Sequence, residues 1–455
     1  MPPPRSPWVT DRDLALFTDL YELKMMRAYR REGMGETAVF DLYVRELPES
    51  RNYLLACGLE DVLHYLETVR FHPEDLAYLA ATGAFDDDFL AWLESFRFTG
   101  DVWALPEGTP VFADEPLLEV VAPVPEAQLA ETFLMSQVHF QTVAASKAVR
   151  VVHAAGGIPV VDFGLRRYYG TDAGMKAARA FHVAGVASTS NVLAGAVYGI
   201  PIAGTMAHSF VQAFDEEIDS FRAFAGVYPD TILLVDTYDT IEGVEKVVEL
   251  ARELGEEFRV SGIRIDSGDL VALSFRAREI LDAAGLDRVG IFLSGGLDEH
   301  RVAEVVESGA PVVGFGVGTR MGIPPDASAL EIAYKLVSYG GEGRLKLSPG
   351  KPILPGRKQV FRLEGPDGRA ARDVVALHDE EHEGEPLLAL VMEGGARTAA
   401  GRSTLEEARR RAAREIARLP DRVRAIEPAA PPYTVEISER LRAAQREVAR
   451  TAGSR

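Results

Sequence analysis

The side chains able to do chemistry recur at short intervals between residues 160 and 320. In IPIAGTMAHSF, residues 200–210, the apolar run Pro201–Ala203 reads as a buried strand, breaks at Gly204, and offers Thr205, His208 and Ser209 in quick succession. A strand that ends in Gly-Thr and turns into a helix presents backbone N–H groups and a hydroxyl to one spot, which suits an anion. His208 adds a side chain that can exchange a proton, or accept a group, near neutral pH. Taken alone, it reads as a histidine at a helix start.

Comparable groups follow other short apolar runs. They are Asp162-Phe163-Gly164-Leu165-Arg166-Arg167, Asp236-Thr237-Tyr238-Asp239, Arg264 with Asp266, Ser267, Gly268 and Asp269, Ser294-Gly295-Gly296, and Gly316-Val317-Gly318-Thr319. An Asp in such a place is commonly a helix cap, and a glycine-rich turn is commonly only a turn. Recurrence at every run end is what marks a site. Glycine loops let backbone N–H groups approach an anion closely. Arg166 and Arg167 can grip phosphate oxygens bidentately. Asp236, Asp239, Asp266 and Asp269 could hold ribose hydroxyls or Mg²⁺, or stabilise a cationic transition state. Phe163 and Tyr21 can stack on a flat ring. The composite ligand is a phosphorylated sugar together with an aromatic ring.

The elements that must position these groups are the apolar runs at 158–164, 200–205, 231–237, 260–269, 290–296 and 311–319, with helices expected at Ile241–Leu254, Leu270–Ala284 and Asp298–Ser308. This rhythm predicts repeated βα units and a parallel sheet. Six in a row predict a closed or partly closed α/β barrel over 126–344, with chemistry at the C-terminal ends of the strands. Two late glycine loops match the phosphate site of such a barrel.

Residues 1–125 read as an α+β domain after a loose Pro-rich start. A helix begins at Thr18 or Asp19, a strand spans Ala38–Leu47, helices span Gly58–Val69 and Pro73–Phe96, and strand-like pieces follow over Thr99–Ala122. A long helical stretch, Pro125–Ala155, leads into the barrel. Residues 345–455 are expected to complete the N-terminal domain. Ser403–Glu406 reads as a capping box for a helix to Leu419, and a last helix spans Ser438–Thr451.

The chain has 455 residues, 47% of them hydrophobic and 26% charged, with a formal net charge of −20. That is enough for two or three domains. So acidic a chain is a poor general binder of nucleic acid or anionic membrane, so an anionic substrate must meet local basic groups. One cysteine, Cys57, excludes an internal disulfide and a Cys-rich zinc cluster. With no signal-like N-terminus and no membrane-length apolar run, a cytoplasmic protein is expected. His378-Asp-Glu-Glu-His382 has metal-like spacing but not the HExxH order, and reads as surface. GFGVGT is not a dinucleotide fingerprint. His64, His72, His139, His153, His182 and His300 read as structural.

The pieces TDLYELKM (18–25), DFGLRR (162–167), STSNVLAG (188–195), YGIPIAGTMAHSF (198–210), LLVDTYDT (233–240), GIRIDSGDL (262–270), FLSGGLDE (292–299), FGVGT (315–319), KLSPGK (346–351) and PGRKQVFR (355–362) resemble the nicotinate phosphoribosyltransferase family. They span most of residues 18–362 in the family's order. The resemblance implies an irregular α/β barrel joined to an α/β domain built from both chain ends, working as a homodimer with shared sites. It implies that nicotinate and phosphoribosyl diphosphate form nicotinate mononucleotide and diphosphate with Mg²⁺, coupled to ATP through transient phosphorylation of His208. Thr205 and Arg264 match nicotinate contacts, and Phe163 an aromatic beneath the pyridine. Tyr21 matches its stacking partner from the neighbouring subunit. Arg166 and Thr319 match phosphate and phosphoribosyl contacts, beside the loops Ser294-Gly295-Gly296 and Gly318-Thr319. Asp266 matches a carboxylate near the ribose hydroxyls.

Nicotinamide-using relatives place an Asp where this chain has Ser190, and an Asp there would repel a carboxylate. Ser190 therefore favours the acid over the amide. Tyr168-Tyr169 departs from the Ala-Gln of many members. A sugar-phosphate isomerase or aldolase barrel would need a strand-end base or Schiff-base lysine, and no Lys stands there. A nucleotide sensor without activity would be favoured by loss of His208 or Arg264, and both are present.

Overall fold

The computed structural model describes residues 8–347 and 353–452. The chain forms two compact units. One holds the chain up to Val143 together with the chain from Ala329 onward, and the other is Ala144–Ser328.

The second unit is built on six parallel strands: β1 (Val160–Asp162), β2 (Ser188–Thr189), β3 (Ile232–Leu234), β4 (Gly262–Ile265), β5 (Gly290–Ser294) and β6 (Gly314–Val317). Their spatial order is β2–β1–β6–β5–β4–β3. Short runs of Val, Ile and Leu suit strands covered on both faces, and Val161, Leu233, Ile263, Ile265, Ile291 and Leu293 are all buried. The register sets Arg264 beside Phe292, Ser294 beside Gly316, and Val317 beside Asp162. Helices on the connections show one apolar stripe. In Thr240–Leu254 the buried residues Val244, Val247, Val248 and Leu250 line one side.

One expectation for this unit changes. Residues 200–205 do not form a buried strand. Ile202 makes a single parallel bridge with Thr189 and is 57% exposed, and Pro201 is exposed. Pro201 has no N–H to give to a ladder, which keeps the segment at the edge. The strand in that part of the sheet is β2, in the STSN segment. Backbone pairing therefore runs from β2 to β3 without completing a ring among the described residues. Met206 reaches across the gap, its Sδ 3.4 Å from the Leu234 backbone N–H.

In the first unit a seven-stranded sheet interleaves the two chain ends. Thr37–Val44 pairs antiparallel with both Pro116–Pro123 and Ile332–Tyr339, and Ala389–Glu393 pairs with Asp101–Ala104. A four-stranded sheet carries Lys358–Glu364 and Ala370–Leu377. Buried ion pairs tie the two sheets, for Lys358 reaches Asp41 at 2.6 Å.

Boundaries shift for identifiable reasons. The expected helix Pro73–Phe96 is two, Pro73–Ala81 and Asp87–Glu94, split where Gly83 takes φ +67° and Asp86 caps the second. The stretch 125–155 is likewise Val124–Leu129 followed by Glu131–Ala154. The capping box lies one residue later than expected, pairing Thr404 with Glu407 and opening Leu405–Arg418. The last helix is Glu439–Ala452. Most of the Pro-rich start and part of KLSPGK lie outside the described residues.

Candidate active site

A cavity of about 540 Å³ opens at the C-terminal ends of the parallel strands. Phe163, Arg166, Arg167, Ser190, Thr205, Arg264, Asp266, Ser294, Gly295, Gly296, Gly318 and Thr319 all line it. The sheet explains the convergence. Parallel strands point the same way, so the residues just past each strand meet at one rim.

Its floor is set by Phe163. The ring lies over β6, where a Cβ on Gly316 would come within 2.5 Å of it, and 5.9 Å from Phe292. The Phe163 backbone N–H is held by the Val317 carbonyl at 2.9 Å. The Arg264 guanidinium carbon sits 5.7 Å from the centroid of the same ring, within range of a cation–π contact. Arg264 Nη1 donates to the Thr205 hydroxyl, and Arg264 Nη2 stands 4.0 Å from Asp266. Burial lowers the Arg264 pKa against the pull of Asp266 and Asp236, yet a guanidinium stays charged. Its buried Nε has no hydrogen-bond partner among the described residues. An aromatic face beside a half-satisfied guanidinium can receive a flat, anionic ring.

Asp266 is fixed from two sides. Ser294 donates to its Oδ1 at 2.5 Å, and its backbone N–H donates to Asp236 Oδ2 at 2.9 Å. Ser267 donates to the same Asp236 oxygen at 2.7 Å. Gly295, at φ +92°, passes so close that a Cβ would lie 1.6 Å from the Asp266 carbonyl oxygen. Only glycine fits such an approach in that conformation. His208, the first residue of the short helix His208–Val211, sets Nδ1 3.1 Å from the Thr237 hydroxyl and Nε2 3.9 Å from Asp266. Arg167 donates to the Thr319 hydroxyl at 3.3 Å, joining the arginine turn to the last glycine loop.

Not every strand-end carboxylate faces the cavity. Asp239 accepts from the backbone of Ile241 and Glu242, and Asp269 from that of Ala272. Both cap helices through one carboxylate oxygen, Oδ1, and neither is among the residues lining the cavity. Asp162 is buried and organises the loop after β1. Tyr21 belongs to the other unit, is 45% exposed and is not among the residues lining the cavity. Burial and Glu131 push its phenol well above the usual range. His139 accepts the Leu330 N–H at 2.9 Å, a structural role. Thr237, inside the LLVDTYDT run, is the partner of His208, a pairing across 29 residues that no spacing in the sequence announces. No group of three or more His, Cys, Asp or Glu side chains suited to a metal exists among the described residues.

Comparison with known proteins then decides the family. Residues 16–139 match the nicotinate phosphoribosyltransferase N-terminal domain, and residues 158–354 match the nicotinate phosphoribosyltransferase family. The chain belongs to the nicotinate phosphoribosyltransferase family. It is 54% identical over 428 residues to the nicotinate phosphoribosyltransferase pncB2 of Mycobacterium tuberculosis, covering 94% of this chain and 92% of that one. Identity to the Bacillus subtilis nicotinate phosphoribosyltransferase is 40% over 380 residues, covering 82% and 78%. The crystal structure of human nicotinic acid phosphoribosyltransferase superposes with a TM-score of 0.85 at 30% identity, over 95% of this chain and 99% of that one. The chain is thus an enzyme of this family, with the family's mixed α/β fold. Among the described residues no helix is long and apolar enough to cross a membrane.

Proposed function

We propose that the enzyme joins nicotinate to 5-phosphoribosyl 1-diphosphate, giving nicotinate mononucleotide and diphosphate, and couples this to ATP hydrolysis through His208. The observation that carries the reading is one cavity holding an aromatic floor, Arg264 with Thr205, and two glycine loops beside an arginine turn. Phe163 supports the pyridine ring, and Arg264 with Thr205 binds its carboxylate. Ser294–Gly296, Gly318 and Thr319 bind the ribosyl phosphate through backbone N–H groups and hydroxyls, and Arg166 with Arg167 adds charge. The ring nitrogen donates its electron pair to the anomeric carbon as the bond to diphosphate breaks, the electrons leaving with diphosphate. Asp266 faces the cationic charge that develops on the ribose.

Asp266 and Asp236 fit a Mg²⁺ ion held chiefly by substrate oxygens, the usual mode for that ion. Asp236 Oδ1 is buried without a hydrogen-bond partner among the described residues. The ion would supply neutralisation of the diphosphate charge. His208 accepts the γ-phosphoryl of ATP on a ring nitrogen, ADP leaving. Water later takes the phosphoryl to give inorganic phosphate and regenerate the imidazole. Thr237 on Nδ1 orients the ring for this exchange.

The site is completed in a homodimer by Tyr21 of a second copy, stacking on the pyridine opposite Phe163. Support comes from the exposure of Phe17, Leu20 and Tyr21 in one unit and of Val192, Leu193, Val197 and Ile202 in the other. Such apolar surface is typical of an interface. The product places the enzyme in pyridine-nucleotide salvage. Mononucleotide formation measured from nicotinate and from nicotinamide, each with and without ATP, tests the proposal. Nicotinate turnover stimulated by ATP is expected, and preference for nicotinamide would overturn it.

A further inference from the structure

The turn that carries Phe163, Arg166 and Arg167 is closed by a side chain outside the cavity. Past β1 the chain makes one tight turn, Leu165–Arg167, with the Arg167 N–H on the Gly164 carbonyl at 2.8 Å. Tyr168 then folds back, and its hydroxyl donates to Asp162 Oδ1 at 2.5 Å, the oxygen that also accepts the Gly164 N–H at 2.9 Å. Asp162 Oδ2 accepts from Thr189 at 2.8 Å, and its carbonyl accepts the Ser190 N–H at 2.8 Å.

The Tyr168 ring is wedged between two loops. A Cβ on Gly164 would lie 1.9 Å from its hydroxyl, and one on Gly322 would lie 2.0 Å from its ring. Gly322 ends the short helix that starts at the cavity residue Thr319. Arg166 and Arg167, by contrast, are exposed. A substrate phosphate must collect two solvated side chains, and ordering them costs less when their backbone is already fixed.

We propose that Tyr168 is a positioning residue, whose hydroxyl on Asp162 clasps the 163–167 turn so that Arg166 and Arg167 are presented to the phosphorylated substrate. This rests on the proposed reading of the arginines as phosphate ligands. Phe163 is held separately, by its backbone bond to Val317, so the pyridine end should feel the clasp little. The phenol, pushed up by burial beside Asp162, stays protonated and keeps donating at neutral pH.

Tyr168→Phe keeps the ring and removes only the clasp. In the full-length, substrate-free enzyme, tryptic cleavage after Arg166 or Arg167 should accelerate about fivefold, the size of one lost hydrogen bond. KM for phosphoribosyl diphosphate should rise by about the same factor. kcat and KM for nicotinate should stay close to wild type. Unchanged cleavage and unchanged KM would overturn the assignment, as would an equal rise for both substrates. A Tyr168→Phe protein that fails to fold would make the hydroxyl a folding element and overturn it too. Arg166→Ala and Arg167→Ala separate the two claims. If neither raises KM for phosphoribosyl diphosphate while Tyr168→Phe still speeds cleavage, the reading of the arginines fails and the clasp stands.

Discussion

His208 Nε2 stands 3.9 Å from the carboxylate of Asp266, so the residue proposed to couple ATP and the residue proposed to face the ribose share one electrostatic neighbourhood. Phosphorylating His208 would add negative charge beside Asp266 and change how the site holds a cationic transition state and an anionic substrate. His208→Ala should therefore abolish stimulation by ATP while leaving some ATP-independent synthesis. Turnover at saturating phosphoribosyl diphosphate, with and without ATP, measures this. A variant that ATP stimulates as strongly as wild type would remove His208 from the coupling.

Arg264→Lys should discriminate between the two pyridines. Lysine keeps the charge but loses the fork that reaches Thr205 and a substrate carboxylate together. KM for nicotinate should rise about tenfold or more, the loss expected for one charge-assisted bond. KM for nicotinamide should change much less, since the amide has no charge to lose. Equal losses would mean that Arg264 only neutralises Asp266 and Asp236.

Gly295→Ala and Gly204→Ala form a matched pair. The first puts a methyl 1.6 Å from the Asp266 carbonyl at a φ of +92°, whereas the second meets nothing within 4 Å. Gly295→Ala should cost at least about 2 kcal/mol of stability and most of the activity. Gly204→Ala should stay within about 0.5 kcal/mol of wild type. Denaturant melts and initial rates on both proteins check the contrast.

Lys147 is buried in the helix Glu131–Ala154. It contacts Glu299 at 2.6 Å and Asp326 at 2.9 Å, while Arg150 holds the other Glu299 oxygen at 2.9 Å. Glu299 opens the helix after the Ser294–Gly296 loop. Lys147→Met leaves two carboxylates short of a cation and should cost about 3–5 kcal/mol. Adding Glu299→Gln should recover part of that loss, which a double-mutant cycle by chemical denaturation would measure.

Glu22 sets a pH dependence in the first unit. Burial, aided by nearby Glu131, raises its pKa from 4.5 to about 7, against hydrogen bonds from Thr18 and Thr132. A carboxyl that binds its proton more tightly folded than unfolded stabilises fully below pH 4.5, and that contribution fades as pH rises through about 7. Glu22→Gln should flatten this part of the stability profile between about pH 5 and pH 8. An identical slope in both proteins would assign the effect elsewhere.

Much of the site was legible because its residues obey a simple geometric rule. Parallel strands bring their C-terminal ends together, so Phe163, Arg264, Asp266, Ser294 and Thr319 could be grouped from the rhythm of the runs, and Thr205 joins them from an edge segment that only bridges to β2. What stayed hidden depended on competition for the same side chains. Asp239 and Asp266 look equivalent in sequence, yet one caps a helix start through Oδ1 and the other lines the cavity. Pro201–Ala203 has strand composition but a proline that cannot complete a ladder, so β2 took its place one segment earlier. The Tyr168–Asp162 clasp was out of reach, because no period or motif announces a ring that doubles back six residues.

The close approach of Gly295 to the Asp266 backbone carbonyl, with the Ser294 hydroxyl on that residue's carboxylate, bears on redesign. Strand-and-loop segments of this architecture look like interchangeable modules that could be traded between scaffolds. Here the β4 and β5 segments cannot travel separately. A transplanted glycine turn would arrive without the backbone against which it is shaped, and a transplanted acid would arrive without its hydroxyl donor. The two segments are one unit of inheritance for anyone recombining this enzyme.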